Sequence, residues 1–315
     1  MTAPGGRVVC AALNLALDIT YISEHFAVGE ANRVGRVHAQ AGGKAVNVAR
    51  LLQQAGHEVM ITGFAGGLVG EEIVRQLDEW AVPHSLVPCA AQSRRTVSAF
   101  SVQDAAVTAY NESGPPIAAA EWELFADGFG TLLHGACLAV LSGSLPAGLP
   151  PDAYRTLADL AAAAGCEVFV DTHAAPMLAA VAAKPALVKP NEHELAEAAG
   201  LTVPIPLPAA VQAARGLLAD GAQAVVVTLG PRGLLGVLPG MSLLAKPPPQ
   251  RGNPVGAGDA AFAALVEGHL AGQPWPDRLR RAAAMSAAAV RQPVAGILRA
   301  EDVAELEALT EVSEP

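Results

Sequence analysis

The sequence predicts a three-layer α/β/α fold with a mostly parallel central sheet and a small β-sheet lid. Short apolar runs suited to buried strands recur along the chain, and longer alanine- and leucine-rich segments with helical spacing separate them. Two other stretches alternate apolar and polar residues, which indicates a sheet with two different faces. With 315 residues, of which 52% are hydrophobic, the chain is long enough to bury a large core.

The strands of the central sheet are predicted where apolar runs carry no polar interruption, the pattern of strands covered by helices on both faces. These runs are Val8–Leu13, Val59–Phe64, Leu138–Leu141, Val168–Val170 and Val225–Thr228. Helices are predicted where apolar residues recur every three or four positions. The predicted helices are Asn47–Ala55, Gly70–Trp80, Asp152–Ala164, Glu192–Ala199, Ala209–Asp220, Ala257–Glu267, Asp277–Val290 and Glu301–Leu309. This alternation of strands and helices favours a parallel, doubly wound sheet.

The lid is predicted from Asp18 to Ala39 and from Thr96 to Tyr110, where β-branched residues alternate with polar ones. We take its limits as about residues 19–40 and 93–112, within a single domain of residues 1–315. Open α/β sheets bind their ligands at the carboxyl ends of the strands. We therefore expect the active site between these strand ends and the lid.

Composition excludes several classes of protein. A net charge of −10 disfavours a broad nucleic-acid surface, and no apolar stretch reaches the roughly 18 residues of a spanning helix. The start of the chain shows no export signal. The four cysteines have no CxxC spacing, which argues against a zinc site or a disulfide framework. Reduced thiols in a cytoplasm are the expectation.

The stretch Gly256-Ala257-Gly258-Asp259 is a glycine turn that opens directly into a predicted helix. The free N–H groups of such a helix start attract anions, and small residues let a phosphate come close to the main chain. A carboxylate at that point suits a base that takes a proton from a hydroxyl attacking phosphorus. The alternative is that Asp259 only caps the helix, and these four residues alone favour capping slightly.

A second glycine turn, Gly42-Gly43-Lys44, leads into a helix in which Lys44 and Asn47 lie three residues apart on one side. The cation and the amide together suit a sugar or sugar-phosphate site. An ordinary loop with a surface lysine is an equal alternative from this pattern alone.

The stretch Asn191-Glu192-His193-Glu194 follows a strand-like segment and has the spacing of a helix capping box. Capping is the better interpretation of the pattern taken by itself. The functional alternative is that Glu194 orients waters on Mg²⁺, which commonly keeps several waters in phosphate sites.

Ser142-Gly143-Ser144 ends a predicted strand, where a ligand-binding loop is expected, and Arg94 could supply bidentate phosphate contacts. Alone, Arg94 is more often a solvated surface residue. The chain has no Gly-x4-Gly-Lys-Ser/Thr loop and no Gly-x-Gly-x-x-Gly fingerprint. This absence argues against a P-loop enzyme and against a standard dinucleotide dehydrogenase.

Taken in order, these motifs resemble the ribokinase-like family of sugar kinases, also called the PfkB family. Residues Ala41–Arg50 resemble the amino-terminal signature of the family, and residues Val255–Ala260 resemble its more specific carboxyl-terminal signature. The resemblance covers essentially the whole chain and implies the ribokinase-like fold. It also implies ATP as phosphoryl donor and Mg²⁺ as cofactor, and it favours catalysis over capping for Asp259.

The resemblance assigns roles residue by residue. Asp259 would be the catalytic base, beside an anion hole built by Gly256, Ala257 and Gly258. Asp18, Gly43 and Asn47 would bind sugar hydroxyls. The phosphate already on the substrate would be held by Arg33, Lys44, Arg94 and Ser144. The nucleotide would be bound by Lys189, Asn191, Glu194, Thr228, Gly230, Gly233 and Ser286, with Glu194 reaching the metal through water.

Within the family, the stretches Gly29–Arg33 and Asn111–Pro115 resemble the branch that phosphorylates sugar phosphates. This implies transfer of a phosphoryl group to a ketohexose phosphate, with fructose 1-phosphate slightly favoured over tagatose 6-phosphate and fructose 6-phosphate. Two alternatives stay open: a kinase of an unphosphorylated sugar or nucleoside, and a sugar-phosphate-binding relative without activity.

The resemblance also implies a homodimer formed through the lid, with neither nucleic acid nor membrane as a partner. One departure from the family pattern lies beside the proposed base. Pro254 stands where the family usually has threonine, which removes a hydroxyl and an N–H group next to the anion hole.

Overall fold

A computed structural model describes residues 6–315. Its central feature is a ten-stranded sheet with the strand order β14-β13-β12-β11-β10-β9-β8-β1-β4-β5. The strands are β1 (Arg7–Ala12), β4 (Val59–Ala65), β5 (His84–Pro88), β8 (Ala136–Ser142), β9 (Glu167–Asp171), β10 (Leu187–Val188), β11 (Val225–Thr228), β12 (Leu234–Leu238), β13 (Met241–Lys246) and β14 (Glu311–Ser313). From β5 to β11 all neighbours pair in parallel, and the pairs from β11 to β14 are antiparallel.

Ten helices connect and cover these strands within residues 6–315. They are α1 (Lys44–Gln54), α2 (Gly67–Glu79), α3 (Ala119–Leu132), α4 (Ala153–Ala163), α5 (Ala174–Val181), α6 (Glu192–Ala199), α7 (Leu207–Asp220), α8 (Ala257–Leu270), α9 (Trp275–Val290) and α10 (Ala300–Leu309). None of the helices in this part of the chain is long and apolar enough to cross a membrane.

The sheet is buried on both faces, as the uninterrupted apolar runs predict. In β1, Val8 and Cys10 belong to one apolar cluster, whereas Val9 and Ala11 belong to a second cluster on the opposite face. The first cluster is completed by α1, α2, α8, α9 and α10, and the second by α3 to α7. The three-layer arrangement and the mostly parallel sheet are therefore confirmed.

The predicted small sheet is also present. Its strands are β2 (Ala16–Ser23), β3 (Arg36–Gly42), β6 (Arg94–Ser101) and β7 (Ala106–Asn111), in the order β3-β2-β6-β7. The central pair, β2 and β6, is parallel, and the two outer pairs are antiparallel. We call this four-stranded sheet the lid.

Every predicted helix and every predicted strand of the main sheet is present, with ends that differ by a few residues. Helices α3 and α5 were not predicted. Gly128 and Gly130 lower the helix propensity of α3, and α5 has only eight residues with Pro176 in its first turn, so neither shows a clear helical signal. Tertiary packing supplies what propensity lacks, since Phe125 and Phe129 of α3 are completely buried.

Candidate functional site

The lid and the carboxyl ends of the central strands enclose a cavity of about 380 Å³. Four of the residues assigned to the sugar side line it: Gly43, Lys44, Arg94 and Ser144. Asn14, Ser142 and Glu112 add polar groups to the same wall. The cavity is thus built jointly by the main sheet, the lid and the start of α1, as the topology predicts.

Asp18, in β2, lies against the glycine turn that starts α1. Thr96 Oγ1 donates a hydrogen bond of 2.5 Å to Asp18 Oδ1, and the Gly43 N–H donates one of 3.3 Å to Oδ2. A Cβ atom at Gly42 would lie 1.9 Å from Asp18 Oδ2, so only glycine permits this approach. Burial raises the pKa of Asp18, and the two hydrogen bonds oppose that shift.

Arg94 is held at the cavity wall by main-chain carbonyls. It donates from Nε to the Asn14 carbonyl and from Nη1 to the Glu112 carbonyl, both at 3.1 Å. Asn14 Nδ2 in turn donates to Ser144 Oγ at 2.9 Å. These contacts hold the Arg94 guanidinium and the Ser144 hydroxyl at the wall of the same cavity. Arg33 is exposed on the loop between β2 and β3 and does not line this cavity.

Lys44 lies at the centre of a buried network of charges. Its Nζ donates to Asp171 Oδ1 at 2.8 Å and to Glu194 Oε1 at 3.3 Å. Lys189 Nζ lies 3.0 Å from the other Asp171 oxygen, so one carboxylate joins two lysines. Burial disfavours the Lys44 charge, but Asp171 and Glu194 outweigh it and raise the pKa of Lys44. Burial opposes the charge of Asp171 too, yet the two lysines lower its pKa.

Asp259 is the third residue of α8 and is 8% exposed. Asn47 Nδ2 donates a hydrogen bond of 2.8 Å to Asp259 Oδ2. Burial, helped by the nearby charge of Asp171, raises the pKa of Asp259 to about 6. The Asn47 hydrogen bond and the two lysines oppose this rise. A carboxyl group with such a pKa can accept a proton near neutral pH.

The amino terminus of α8 has no side-chain cap, which argues against the capping interpretation of Asp259. Gly256 adopts φ +83° at the N-cap position, and a Cβ atom there would lie 2.5 Å from Ala295 Cβ. A methyl group on Gly258 would lie 3.6 Å from Lys189 Nζ, so this lysine faces the same helix start. Free N–H groups and a lysine together form a place for phosphate oxygens.

Asn191 and Glu194 do form the capping box that their spacing predicts. The Glu194 N–H donates to Asn191 Oδ1 at 2.9 Å, and the Asn191 N–H donates to Glu194 Oε2 at 2.8 Å. The second oxygen of Glu194 accepts from Lys44. Glu194 therefore combines capping with a place in the charge network, whereas the sequence presented these as alternatives.

A second cavity, of about 360 Å³, lies beside the start of α8 and is mostly apolar. It is lined by Gly230, Gly233, Ser286 and Ala257, together with Pro254 and the prolines at 247–249. Thr228 does not line this cavity but bridges to Asn191 through the main chain. Of the residues assigned to the nucleotide, three thus share this cavity, and Lys189, Asn191 and Glu194 lie with the charge network.

The sequence did not assign a role to Asp171, although it contacts both lysines. Its one signal is its place directly after the apolar run of β9, at the carboxyl edge of the sheet. Asn14 was likewise unassigned, although it lies two residues after β1, at the same carboxyl edge of the sheet. Polar residues at the ends of central strands are the common feature by which both could have been found.

The described residues contain no group of three His, Cys, Asp or Glu side chains able to hold a metal by themselves. Asp171 is engaged by two lysines, whereas each oxygen of Glu194 accepts one hydrogen bond, from Lys44 or from the Asn191 N–H, and keeps a lone pair that can accept from a metal-bound water. Mg²⁺ in phosphate sites needs only one or two carboxylates, because the substrate phosphates and water supply its remaining ligands. The residues present fit such a shared site.

A family model described as pfkB family carbohydrate kinase matches residues 8–301 of this chain. The 1-phosphofructokinase of Xanthomonas campestris pv. campestris is 37% identical over 269 residues, covering 82% of this chain and 83% of the relative. The 1-phosphofructokinase of Vibrio cholerae serotype O1 is 32% identical over 308 residues, covering 98% and 96%. Among solved structures, the tetrameric inhibited form of phosphofructokinase-2 from Escherichia coli gives a TM-score of 0.86 at 26% identity, covering 96% of this chain and 98% of that one.

Proposed function

We propose that this chain, which belongs to the pfkB family of carbohydrate kinases, transfers the γ-phosphoryl group of ATP to fructose 1-phosphate. The product would be fructose 1,6-bisphosphate, so the acceptor is the hydroxyl on carbon 6. Membership of the family and relatives named 1-phosphofructokinase support a sugar-phosphate kinase. The choice of fructose 1-phosphate is supported by the similarity to two 1-phosphofructokinases and by the slight preference that the sequence motifs imply.

The observation that carries the proposal is that Asp259, which lines neither cavity itself, is adjacent to residues that belong to each of them. Ala257, two residues earlier in α8, lines the apolar cavity, and Asn47, which bonds Asp259, lies one turn after Lys44 of the other cavity. A hydroxyl held in the sugar-side cavity would pass its proton to Asp259 as its oxygen bonds to phosphorus. The bond from phosphorus to the β,γ-bridging oxygen breaks, and ADP leaves.

The N–H groups of Gly258 and Asp259 would stabilise the charge on the transferring phosphoryl group, and the Ala257 N–H, which donates to the Pro254 carbonyl at 3.2 Å, could join them only by leaving that bond. Lys189, which faces the same turn, would add a positive charge. Pro254 removes one N–H group from the approach to this turn but none from the turn itself. We therefore assign the anion hole to residues 256–259.

On the sugar side, the hydroxyl groups of the substrate would be bound by Asp18, Gly43 and Asn47. Lys44, Arg94 and Ser144 would hold its phosphate, since all three line one cavity. Arg33 is exposed outside that cavity in the single chain, so its contribution would require movement of its loop or a second subunit. Mg²⁺ would be held by the nucleotide phosphates and, through water, by Glu194.

A homodimer formed through the lid is also proposed. Tyr110 of β7 and Val102, in the turn between β6 and β7, are 64% and 40% exposed, and a small sheet with apolar exposed residues gains stability when it is covered. We further propose a cytoplasmic location, supported by four cysteines that form no disulfide.

The reaction is tested by coupled measurement of ADP release with ATP, Mg²⁺ and five acceptors: fructose 1-phosphate, fructose 6-phosphate, tagatose 6-phosphate, fructose and ribose. We expect a higher kcat/KM for the three sugar phosphates than for fructose and ribose, because Lys44 and Arg94 give a charged acceptor contacts that a neutral sugar lacks. Among the three, fructose 1-phosphate should have the highest kcat/KM, in line with the similarity to two 1-phosphofructokinases. A higher kcat/KM for fructose or ribose would refute a sugar-phosphate kinase. Binding of a sugar phosphate without ADP release would instead indicate a relative without activity.

A further inference from the structure

Arg50, two turns into α1, is a buried cation to which the proposed reaction gives no role. It is 7% exposed, and its guanidinium carbon lies 3.6 Å from the centre of the Trp80 ring. Among residues 6–315, no carboxylate oxygen lies within 4.0 Å of this guanidinium. Its single hydrogen bond in this part of the chain is long, 3.5 Å from Nη1 to Gln40 Oε1. A guanidinium has five N–H donors, so most of those of Arg50 have no protein partner in this part of the chain.

Arg50 lines a cavity of about 490 Å³ between β3 of the lid, α2 and the segment that follows α9. Gln40 and Trp80, which flank the guanidinium, line the same cavity, and Val37 and Ile297 provide apolar wall. This volume is within the usual range of sites for small molecules. The cavity is distinct from both cavities of the proposed kinase site, since it shares no lining residue with either.

The other charged groups of this cavity already have partners. Arg75 forms ion pairs with Glu72 and Glu79, of which Glu79 also lines the cavity. Gln76 accepts from the Ala41 N–H and donates to Glu72. Arg50 is therefore the cation whose charge is not balanced locally. Burial without a balancing carboxylate also lowers the pKa of Arg50 to about 10.

We propose that this cavity binds a small organic anion, whose carboxylate or phosphate group bonds the guanidinium of Arg50 and whose apolar body contacts Val37 and Ile297. A planar guanidinium matches the two oxygens of either oxyanion, and a buried setting makes such a contact stronger than one in water. The apolar wall favours an organic anion over an inorganic ion, because an inorganic ion has no apolar group that could contact Val37 and Ile297.

The site borders the residues around Asp259. Arg50 lies one turn after Asn47, which bonds Asp259. A methyl group on Gly296 would lie 3.1 Å from Asn47 Oδ1 and 3.2 Å from Arg50 Nη1, so one segment packs against both residues. Gln40 of the lid donates to the Ala295 carbonyl at 2.9 Å. An anion that draws Arg50 away from Gln40 would therefore act where the lid meets this segment.

The test is direct binding to the full chain, measured by calorimetry and by the shift in melting temperature, without turnover. The probes are benzoate and phenyl phosphate, compared with acetate and inorganic phosphate, which carry the same charged groups without the apolar ring. We expect one of the aromatic probes to bind at least about tenfold more tightly than its small counterpart. Failure of all four probes to bind at millimolar concentration would overturn the proposal.

Amino-acid substitutions test whether the probes bind in the cavity that Arg50 lines. Arg50→Gln should weaken binding by about tenfold to a hundredfold, the usual effect of losing a charged hydrogen bond. Arg155→Gln removes the same charge at an exposed helix position and should leave binding unchanged. Arg94→Gln removes a proposed phosphate contact of the kinase site, so it should weaken any binding of the phosphate probes there and leave the binding that depends on Arg50 unchanged. Loss of binding in Arg94→Gln with retention in Arg50→Gln would place the anion in the kinase site and refute the proposal.

A second variant keeps the test valid if Arg50→Gln does not fold. Val37 is 54% exposed, so Val37→Glu should fold, and its carboxylate would repel an anion at the edge of the cavity. We expect at least about tenfold weaker binding. Unchanged affinity in Val37→Glu would contradict the proposal. Because none of these measurements needs catalysis, they are independent of the proposed kinase reaction.

Discussion

Asp259 is the residue on which the proposed chemistry depends most directly. Its carboxylate is buried, bonds Asn47 and has a pKa of about 6. We expect Asp259→Asn to lower kcat by at least about a hundredfold while nucleotide affinity stays within a few fold, because the amide cannot accept the proton. Initial rates and ATP titrations measure the two effects.

A matched control for this variant exists in α9. Asp277 occupies the third position of that helix, as Asp259 does in α8, but it is half exposed and lies outside both kinase-site cavities. Asp277→Asn should leave kcat unchanged. Near-normal turnover in Asp259→Asn would eliminate its assignment as the base.

The pH dependence of kcat/KM should show the protonation of Asp259. Only the ionised carboxylate accepts a proton, so activity should fall as pH drops through about 6, the pKa of Asp259. Asn47 stabilises the ionised form, and Asn47→Ala should therefore raise this pKa and move the acid limb to higher pH. An acid limb that stays in place or moves to lower pH would show that Asn47 does not stabilise the ionised carboxylate.

Lys44 and Arg94 should differ in their kinetic effects, although both line the sugar-side cavity. Arg94→Gln should raise KM for fructose 1-phosphate about tenfold or more with a smaller change in kcat, since Arg94 has only carbonyl partners. Lys44→Met should change both constants, because it also leaves Asp171 with one lysine in place of two. Steady-state kinetics distinguishes these outcomes. Equal effects on KM alone would contradict a structural role for Lys44.

At the residue scale, the sequence predicted the groups that lie within a motif and missed those that depend on distant partners. Lys44, Asn47 and Asp259 sit in recognisable glycine turns. Asp171 gains its role only when Lys44, 127 residues away, folds against it. The residues next to Asp171 in the sequence do not indicate that contact. Only the position of Asp171 at the end of a strand indicated a function.

Among the elements, the start of α8 is the most constrained. Gly256 has a left-handed backbone, with φ +83°. A Cβ atom placed on it would lie only 2.5 Å from the Cβ atom of Ala295. Gly256→Ala should destabilise the protein by about 2–4 kcal/mol, the sum of left-handed strain and overpacking, and should also lower kcat. Urea unfolding and initial rates measure these losses.

Gly272 offers the comparison for Gly256. It follows α8, has φ +62°, and nothing lies within 4 Å of a Cβ atom placed there. Gly272→Ala should therefore cost only about 1–2 kcal/mol of strain and leave kcat unchanged. Equal stability losses in the two variants would show that the contact with Ala295 does not matter.

The sequence predicted most elements because their local patterns agree with their burial in the fold. The alternation in the lid strands and the apolar run of β1 are such cases, each readable without tertiary information. Helix α5 is different, since its eight residues include a proline and its formation depends on packing against the second apolar cluster. Elements of this kind cannot be found from periodicity.

For the whole molecule, the proposed lid-to-lid dimer gives a testable assembly. Tyr110→Asp should convert the dimer to a monomer, because it places a charge where an apolar side chain would be covered. Met241→Asp introduces the same charge at the exposed start of β13, outside the lid, and should leave the assembly unchanged. Sedimentation velocity at several concentrations measures both. A wild-type protein that stays monomeric throughout would refute the dimer.

The buried charge network also determines what an incoming nucleotide must bring with it. Lys44 and Lys189 supply two positive charges, while Asp171, Glu194 and Asp259 supply three negative ones when all are ionised. The carboxylates thus offset the charge of both lysines, so this part of the site has no net positive charge for a polyanion, although Lys189 still faces the start of α8. We expect free nucleotide to be repelled and the nucleotide to enter as a complex with its own cation, so that electrostatic balance selects the form of the substrate.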